Sequence, residues 1–591
     1  MGLQSILNLG KNALSQNQVA LQTIAHNIAN AGVEGYSRQE AISANTPPTQ
    51  HSFGFLGTGV RVETIRQAAD RFLNGQIVNI KAELEAFRAR GEAMRLAETF
   101  LNEGTSGTGI SSALVRFFTT AEALAARPEG SPERTDFLNA ASNLAQVFNT
   151  TASSLQELQV QADRDIVRNI AEVNDLVGRM ADLNARIQVA EAGQHSANDL
   201  RDERQRVLER MSELVGVTAI EDQDGSFLVI AGRSFPIVQK GEGAKLKAVE
   251  NPDNVVGTIP PVALKQVQFE SLGGELTDIT SRITTGQIGG LLQFRDGTIG
   301  RLLDDLNNIA ATITNEVNII HRQGFGLDGS TNLDLFNPLK ISVDPSGTNS
   351  RDQASNNPMA QAVLSDSRIF DPTALTGAKY TIKFTSSTSF NVIDAETGLK
   401  LDATKVSLNG GPFGTDASVV DFAYSGTQVS VEFEGLRVTI QNFAGTPQKD
   451  DSFTVSVRKD VARTIAVNPV VLGDISKVAA AGMPGFPADN TNILAVADLR
   501  GRAVAQRRSS TLGDNLSSIL STFGTEARDV RGRENLTEQF ADTLKEARES
   551  VAGVSIDEEL SNIVRYQQNF GATARMMSIT SQLLQDIIEI V

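Results

Sequence analysis

The chain has 591 residues, and 53 Lys and Arg against 70 Asp and Glu leave a net charge of −17. That acidity opposes general nucleic-acid binding, which needs a basic surface to neutralise phosphate, and docking on anionic lipid. Cysteine is absent, which excludes disulfides and thiolate metal sites, and no apolar run approaches the roughly 18–20 residues of a membrane span.

The length suggests about three or four domains. Met1 to Gly10 has neither a cationic region nor a continuous apolar one, so no secretory signal peptide is expected. The protein is expected either to stay in the cytoplasm or to leave by a route that reads no cleavable signal. From Leu3 the apolar positions advance by alternating steps of four and three, through Leu7, Gly10, Leu14, Asn17, Leu21, Ile24, Ile28 and Ala31. This is a heptad seam on a helix of roughly 40–45 Å. Lys11 is the only formal charge from Met1 to Gly32, and the outer face is Gln4, Asn8, Asn12, Gln16, Gln18 and Gln22. An ordinary surface helix shows charges there. Uncharged polar side chains can be packed without an ionic desolvation cost, so this helix suits burial among many copies of itself; an ordinary dimeric coiled coil is the plainer alternative. Asn30 and Gly32 can end it, and Gly35 permits the next turn.

Helical periodicity runs from about Ala68 to Leu214, with Phe137, Ala141, Leu144, Val147, Phe148, Leu155 and Leu158 on one face. Arg127 to Pro132 breaks it, with Ser131 expected to cap the next helix and Pro132 at its first position. From Gly216 to Gly286 the pattern is short and β-like, with Phe227 to Ile230 as a strand and a break at Pro260-Pro261. Helix is expected again from about Gly290 to His321. From Asp371 to Arg458 alternation indicates strands: Tyr380, Ile382 and Phe384 share a face, as do Val429, Val431 and Phe433, and Phe453 and Val455, with a turn at Gly410-Gly411-Pro412. Helices resume near Asn492, break at Ala552-Gly553, and end in a second seam: Ile556, Leu560, Ile563, Gln567, Phe570, Ala574, Met577, Ser581, Leu584, Ile588 and Val591. Ser555 and Glu558 are spaced as a capping box. Gly571 lies within the helix at a cost of about 1 kcal/mol relative to alanine, so packing must hold it. Each narrow stripe can cover the other, and the two ends are expected to meet at one pole.

Ala25-His26-Asn27-Ile28-Ala29-Asn30, then Gly35-Tyr36-Ser37-Arg38-Gln39, resembles the N-terminal signature of the rod, hook and hook-associated proteins of the bacterial flagellum. The second run looks like the hook-associated family in particular, although Val33-Glu34 departs from the usual Thr-Pro or Thr-Thr. Gly57-Thr58-Gly59-Val60 with Asp70-Arg71-Phe72-Leu73 is similar to the same family. So are Asn198-Asp199-Leu200-Arg201-Asp202-Glu203-Arg204 with Leu214 to Val217, and His321 to Gly324 with Leu327 to Gly329. Gly286-Gln287-Ile288-Gly289-Gly290-Leu291-Leu292-Gln293-Phe294-Arg295-Asp296 is the most specific match. The matches run in order to about residue 336 and resume near Asp489. The stretch from about 345 to 475 carries no recognisable motif. The resemblance implies a structural subunit at the hook–filament junction that self-associates in a helical ring, between hook protein and a second hook-associated protein. It also implies type III export and a cytoplasmic chaperone guarding the last helix.

No enzyme is expected, and no cofactor or metal. None of His26, His51, His195 and His321 has a histidine at i+4, and HExxH, GxSxG, a Walker lysine and a cysteine nucleophile are absent. Gly324 to Gly329 fits GxGxxG but follows a helix, so it reads as a loop. Asp304 and Asp305 read as a solvated helix face, and Arg500, Arg502, Arg507 and Arg508 as a basic helical patch, either solvated or facing an acidic neighbour.

The expected fold is α+β and multidomain, with paired terminal coiled-coil helices, a long-helix bundle and inserted β-rich domains. The expected parts are 1–35 with 556–591 for assembly; 36–216 with 286–345 and 475–555 as bundle; 217–285 as a small β-rich subdomain; and 346–474 as an outer β-rich insert. The expected assembly residues are Leu3, Leu7, Leu14, Leu21, Ile24, Asn27, Ile28, Asn30, Gly35, Tyr36, Leu560, Ile563, Phe570, Met577, Leu584 and Ile588. Another axial protein (hook or distal rod) or an extracellular binding module is the alternative.

Overall fold

The architecture comes from a computed structural model, which describes residues 3–51, 54–101, 109–193, 196–258, 260–346, 349, 362–424, 428–442, 447–505 and 508–590. Runs with one apolar face form its helices: α1 (Leu3–Asn30), α2 (Arg71–Leu101), α3 (Ile110–Ala126), α4 (Ser131–Glu191), α5 (Asn198–Val215), α6 (Gly286–Leu292), α7 (Ile299–Gln323), α8 (Val461–Thr464), α9 (Pro469–Leu472), α10 (Thr491–Asp498), α11 (Leu512–Ala552) and α12 (Ile556–Ile590). With several small sheets they give an α+β multidomain fold. Among the described residues no helix is long and apolar enough to cross a membrane.

α1 and α12 lie along each other, so the two ends of the chain form one unit. Gly35, in the left-handed region at φ 76°, turns the chain out of it. Residues 36–70, expected with the bundle, begin instead with a β-ribbon. Gln39–Asn45 pairs antiparallel with Val60–Gln67, with a bulge between Ile42 and Ser43, and both strands pack on α1.

α4 is the spine, 61 residues long and so about 90 Å. Phe137, Leu144, Phe148, Leu155, Ile166, Val173 and Met180 are buried along its length, in one core shared with α2, α3, α5, α6, α7, α10 and α11. Gly130, not Ser131, stands at its N-cap, and Ser131 is its first residue. The β-like stretch 217–285 forms a four-stranded and a three-stranded antiparallel sheet. Val229, Ile237, Leu246 and Val267 put both sheets into the same core.

Helix begins at Gly286 rather than Gly290, and a π-helical turn, Gln293–Thr298, joins α6 to α7. Arg295 lies in that turn, 2% exposed. Its guanidinium donates to Asp163 at 2.6 Å, the Lys265 carbonyl at 2.7 Å and Asp296 at 2.7 and 2.8 Å. Asp163 also accepts the Lys265 amide at 2.8 Å, so one buried ion pair ties α4, the π turn and a strand of the small sheet together.

The insert is a two-sheet sandwich. Strands 342–345, 452–456, 380–386, 389–394 and 422–423 form one sheet in that order, and 362–369, 436–442, 428–433 and 406–408 the other. The inward faces, among them Tyr380, Ile382, Phe384, Val431, Phe433, Phe453 and Val455, make a core separate from that of the bundle. The insert starts and stops earlier than the expected 346–474. Ser342–Pro345 pairs with Phe453–Ser456, while Val461, Ala462, Ile465, Val467 and Val471 are buried in the helical core. Asp304, expected on a solvated face, pairs with Lys379 of the sandwich.

Candidate assembly site

Two contacts set how α1 meets α12. Asn27 of α1 donates to Glu559 of α12 at 3.2 Å. Gly10 sits against Met577, where an added Cβ would come 2.8 Å from Cγ. The helices are therefore antiparallel. Apart from Ile24, the buried side of α1 is small or polar: Gly10, Asn17, Ala20, Thr23 and Asn27. Leu7, Leu14, Leu21 and Ile28 flank it and are only half-buried, so the leucine column is not the line of closest approach. On α12, Ile563, Tyr566, Met577 and Leu584 are half-buried, while Leu560 is 50% and Phe570 40% exposed. Ile556, Val564, Ile579, Leu583 and Ile587 are exposed as well. The side chains of Leu3 and Ile588, and Val591 entirely, lie outside the described residues.

A polar clasp closes one end of the pair. Asn27 is 1% exposed and uses its whole amide. Its Nδ2 donates to the Gln39 carbonyl at 2.9 Å as well as to Glu559. Its Oδ1 accepts the Gln39 amide and the Tyr36 hydroxyl, each at 2.9 Å. Arg38 Nε donates to Glu559 at 2.7 Å and its Nη2 to Glu558 at 3.3 Å, and its amide donates to the Ala552 carbonyl at 2.8 Å. Glu559 is thereby paired although its side chain is 2% exposed, as a buried carboxylate requires. Burial lowers the Arg38 pKa, but its hydrogen bond and charge contact with Glu559 outweigh this and hold it above the ordinary arginine value. Burial, then the charges of Asp199, Asp202 and Glu559, push the Tyr36 phenol well above its usual range, so it stays a donor to Asn27. His26 stacks edge-on against Tyr36, with ring centroids 5.7 Å apart, and its Nδ1 lies 3.0 Å from the hydroxyl. Asn30 donates back to the His26 carbonyl at 2.9 Å and closes the helix end. Ser555 meets the Glu558 amide at 3.5 Å, a long cap bond.

Two sequence motifs far apart in the chain interlock here. Asp202 accepts Ser37 N and Oγ at 2.9 and 2.8 Å, Asp199 accepts Gln39 Nε2 at 2.8 Å, and Asn198 donates to the Ile65 carbonyl at 2.9 Å. The first acidic residues of α5 thus seat the turn after α1. Burial holds the Asp202 carboxyl above its ordinary value against its bonds to Ser37. Sequence reasoning placed Asn27, Tyr36 and Gly35 in the site and missed Arg38, Gln39, Asp202 and Glu559 as partners. The paired acids Glu558-Glu559 beside an apolar seam were the available signal for the last.

The other groups weighed in the sequence have structural roles. Gly324 to Gly329 is a loop: Phe325 bridges to Ala481, and Asp328 pairs with Lys477 at 2.7 Å. Arg500, Arg502 and Arg508 lie in turns after α10, not on a helix, with Arg500 3.4 Å from Glu122 and Arg508 donating to the Thr373 carbonyl at 2.9 Å. Arg507 and His195 lie outside the described residues. Among the described residues no cluster of His, Asp or Glu could hold a metal ion.

Known proteins match every part of this frame. The family model of the flagellar hook-associated protein FlgK helical domain matches residues 94–336. That of the flagella basal body rod protein matches 7–36, and that of the flagellar basal body rod FlgEFG protein C-terminal matches 548–590. Flagellar hook-associated protein 1 of Escherichia coli (strain K12) is 24% identical over the full length of both chains. That of Salmonella typhimurium is 25% identical over the full length of both. That of Bacillus subtilis is 22% identical over all of this chain and 97% of its own. The structure of the flagellar hook junction protein FlgK from Burkholderia pseudomallei shares the fold with a TM-score of 0.58 at 16% identity, over 81% of this chain and all of that one.

Proposed function

We infer that the chain is a member of the flagellar hook-associated protein 1 family, which its full-length relatives and the helical-domain match support, and that it is the structural subunit forming the junction between hook and filament. One observation carries the role of the terminal helices. Ile556, Leu560, Val564, Phe570, Ile579, Leu583 and Ile587 of α12 are each 40–62% exposed although α1 already packs on it. A free protein rarely shows so long a row of bare apolar side chains. Copies of the same chain in a helical ring, with hook protein on one side and a second hook-associated protein on the other, would cover it. A cytoplasmic chaperone would shield it until type III export, which reads no cleavable signal. Residues 1–35 with 556–591 are then the assembly part, and the sandwich faces solvent.

Electron microscopy of a deletion strain tests this. Hooks that carry no filament, with the protein found at the hook tip of complemented cells, are expected. Loss of the hooks themselves would make it a hook or distal rod protein, and normal filaments would sink the reading.

A further inference from the structure

Two heptad stripes specify that helices pair, but not where along each other. Each stripe repeats every seven positions, so a slide of one heptad returns apolar residues to apolar residues. The anchored contacts place Asn27 at Glu559 and Gly10 at Met577, which sets Ile24 opposite Ile563 and Ala20 opposite Tyr566. A seven-residue slide would set Ile24 opposite Phe570 and Ala20 opposite Thr573, still an apolar or small match. Besides the fit of Gly10 against Met577, what the slide destroys is polar. Asn27 would leave Glu559, and Arg38 would lose the carboxylate it meets at 2.7 Å. An amide and a carboxylate that are 1% exposed would then be unpaired or pulled into water, which costs far more than an apolar mismatch.

We propose that Asn27 and Glu559, with Arg38 closing over them, form a register lock that selects one alignment of α1 on α12 within the single chain. A buried asparagine that fixes alignment at some expense of stability is an established device in helix pairs. Here it is joined to the β-ribbon through Gln39 and to α5 through Ser37, so the alignment is measured from the body of the protein. The alignment matters because it decides which apolar residues of α12 remain exposed for neighbours. That consequence rests on the assembly reading above. The alignment itself belongs to the isolated chain, so its failure and a failure to attach filaments are separate results.

The full-length chain has no cysteine, so disulfide reporters have no background. Ala20→Cys with Tyr566→Cys reports the alignment seen; Ala20→Cys with Thr573→Cys reports the one a heptad along. In the otherwise unaltered chain only the first pair is expected to close, within one molecule. Adding Asn27→Leu is expected to lower the first yield and raise the second to match or exceed it, with helix content by circular dichroism unchanged. Glu559→Leu makes the same change from the other helix. The lock is overturned if the first pair alone still closes in both variants, or if both pairs close in the unaltered chain. It is also overturned if neither pair closes in the unaltered chain, or if both variants lose both crosslinks, which would mean that the clasp only holds the helices together.

Discussion

Single side chains show how little of a residue's task its type reveals. Asn27 and Tyr36 stand out in the sequence as parts of a family signature, yet periodicity treats Asn27 as a flaw beside the seam. Its value comes from four hydrogen bonds to groups between 9 and 532 residues away. His321 is a similar case. It is 2% exposed, its Nδ1 lies 2.6 Å from the Leu333 carbonyl, and its Nε2 accepts the Ala479 amide at 3.0 Å. The ring is therefore neutral with its proton on Nδ1. Burial depresses its pKa below the ordinary 6.5, against the Leu333 bond and the nearby Asp334 charge. The unfolded chain takes up this proton first on acidification, so the stabilisation is complete above about pH 6.5. It is lost as pH falls from there through the depressed folded value. The unfolding temperature of the helical body should therefore drop between pH 7 and 5, and His321→Gln should flatten that part of the profile. Equal slopes in the two proteins would refute the assignment.

Helices and strands were legible where a period persisted. α4 and the sandwich strands follow their apolar spacing, and α1 stops at Asn30 as its end signals indicate. The ribbon escaped notice although Val60, Val62 and Thr64 alternate with charged Arg61 and Glu63. Its partner strand, with Gln39, Glu40, Ser43 and Asn45, has little apolar contrast because it lies against one helix rather than in a core. Glycine spacing shows the same division between pattern and packing. Gly290 lies in the most specific family motif because α6 crosses α2 there: a Cβ would meet Ala86 C and Cα at 2.9 and 3.0 Å. That backbone cannot swing away, so Gly290→Ala should destabilise the body by about 1–3 kcal/mol. Gly571 has nothing within 4 Å of a built Cβ, so Gly571→Ala should stabilise α12 by about 1 kcal/mol. Thermal unfolding followed by circular dichroism compares them, and a destabilised Gly571→Ala or a neutral Gly290→Ala would contradict the packing described. If Gly571→Ala gains helix as a free chain but no longer attaches filaments, a neighbouring copy passes close over that residue.

At the scale of the whole molecule, the described residues of α1, the ribbon and α12 belong to none of the hydrophobic clusters of the body or the sandwich. They are joined to the body by the clasp, by Ser37, Gln39 and Asn198, and by the chain crossings near Ala68 and Ala552. Removing Gly553 to Val591 should therefore leave a soluble chain whose bundle and sandwich unfold at unchanged temperatures, while filament attachment is lost. A shift in those transitions would show that the terminal pair supports the body, and retained attachment would refute the role of α12. The sequence alone determined the long helices, the sandwich alternation, the seams at both ends and the resemblance to the flagellar family, because each is written as local period or contiguous motif. Only the tertiary structure decided that the N-terminal signature meets α5 and Glu559, that the sandwich spans 342–458, and that the closest face of α1 is small and polar rather than leucine-rich. Those features depend on which distant groups come into contact, and a periodic stripe, which repeats every seven residues, carries no such information.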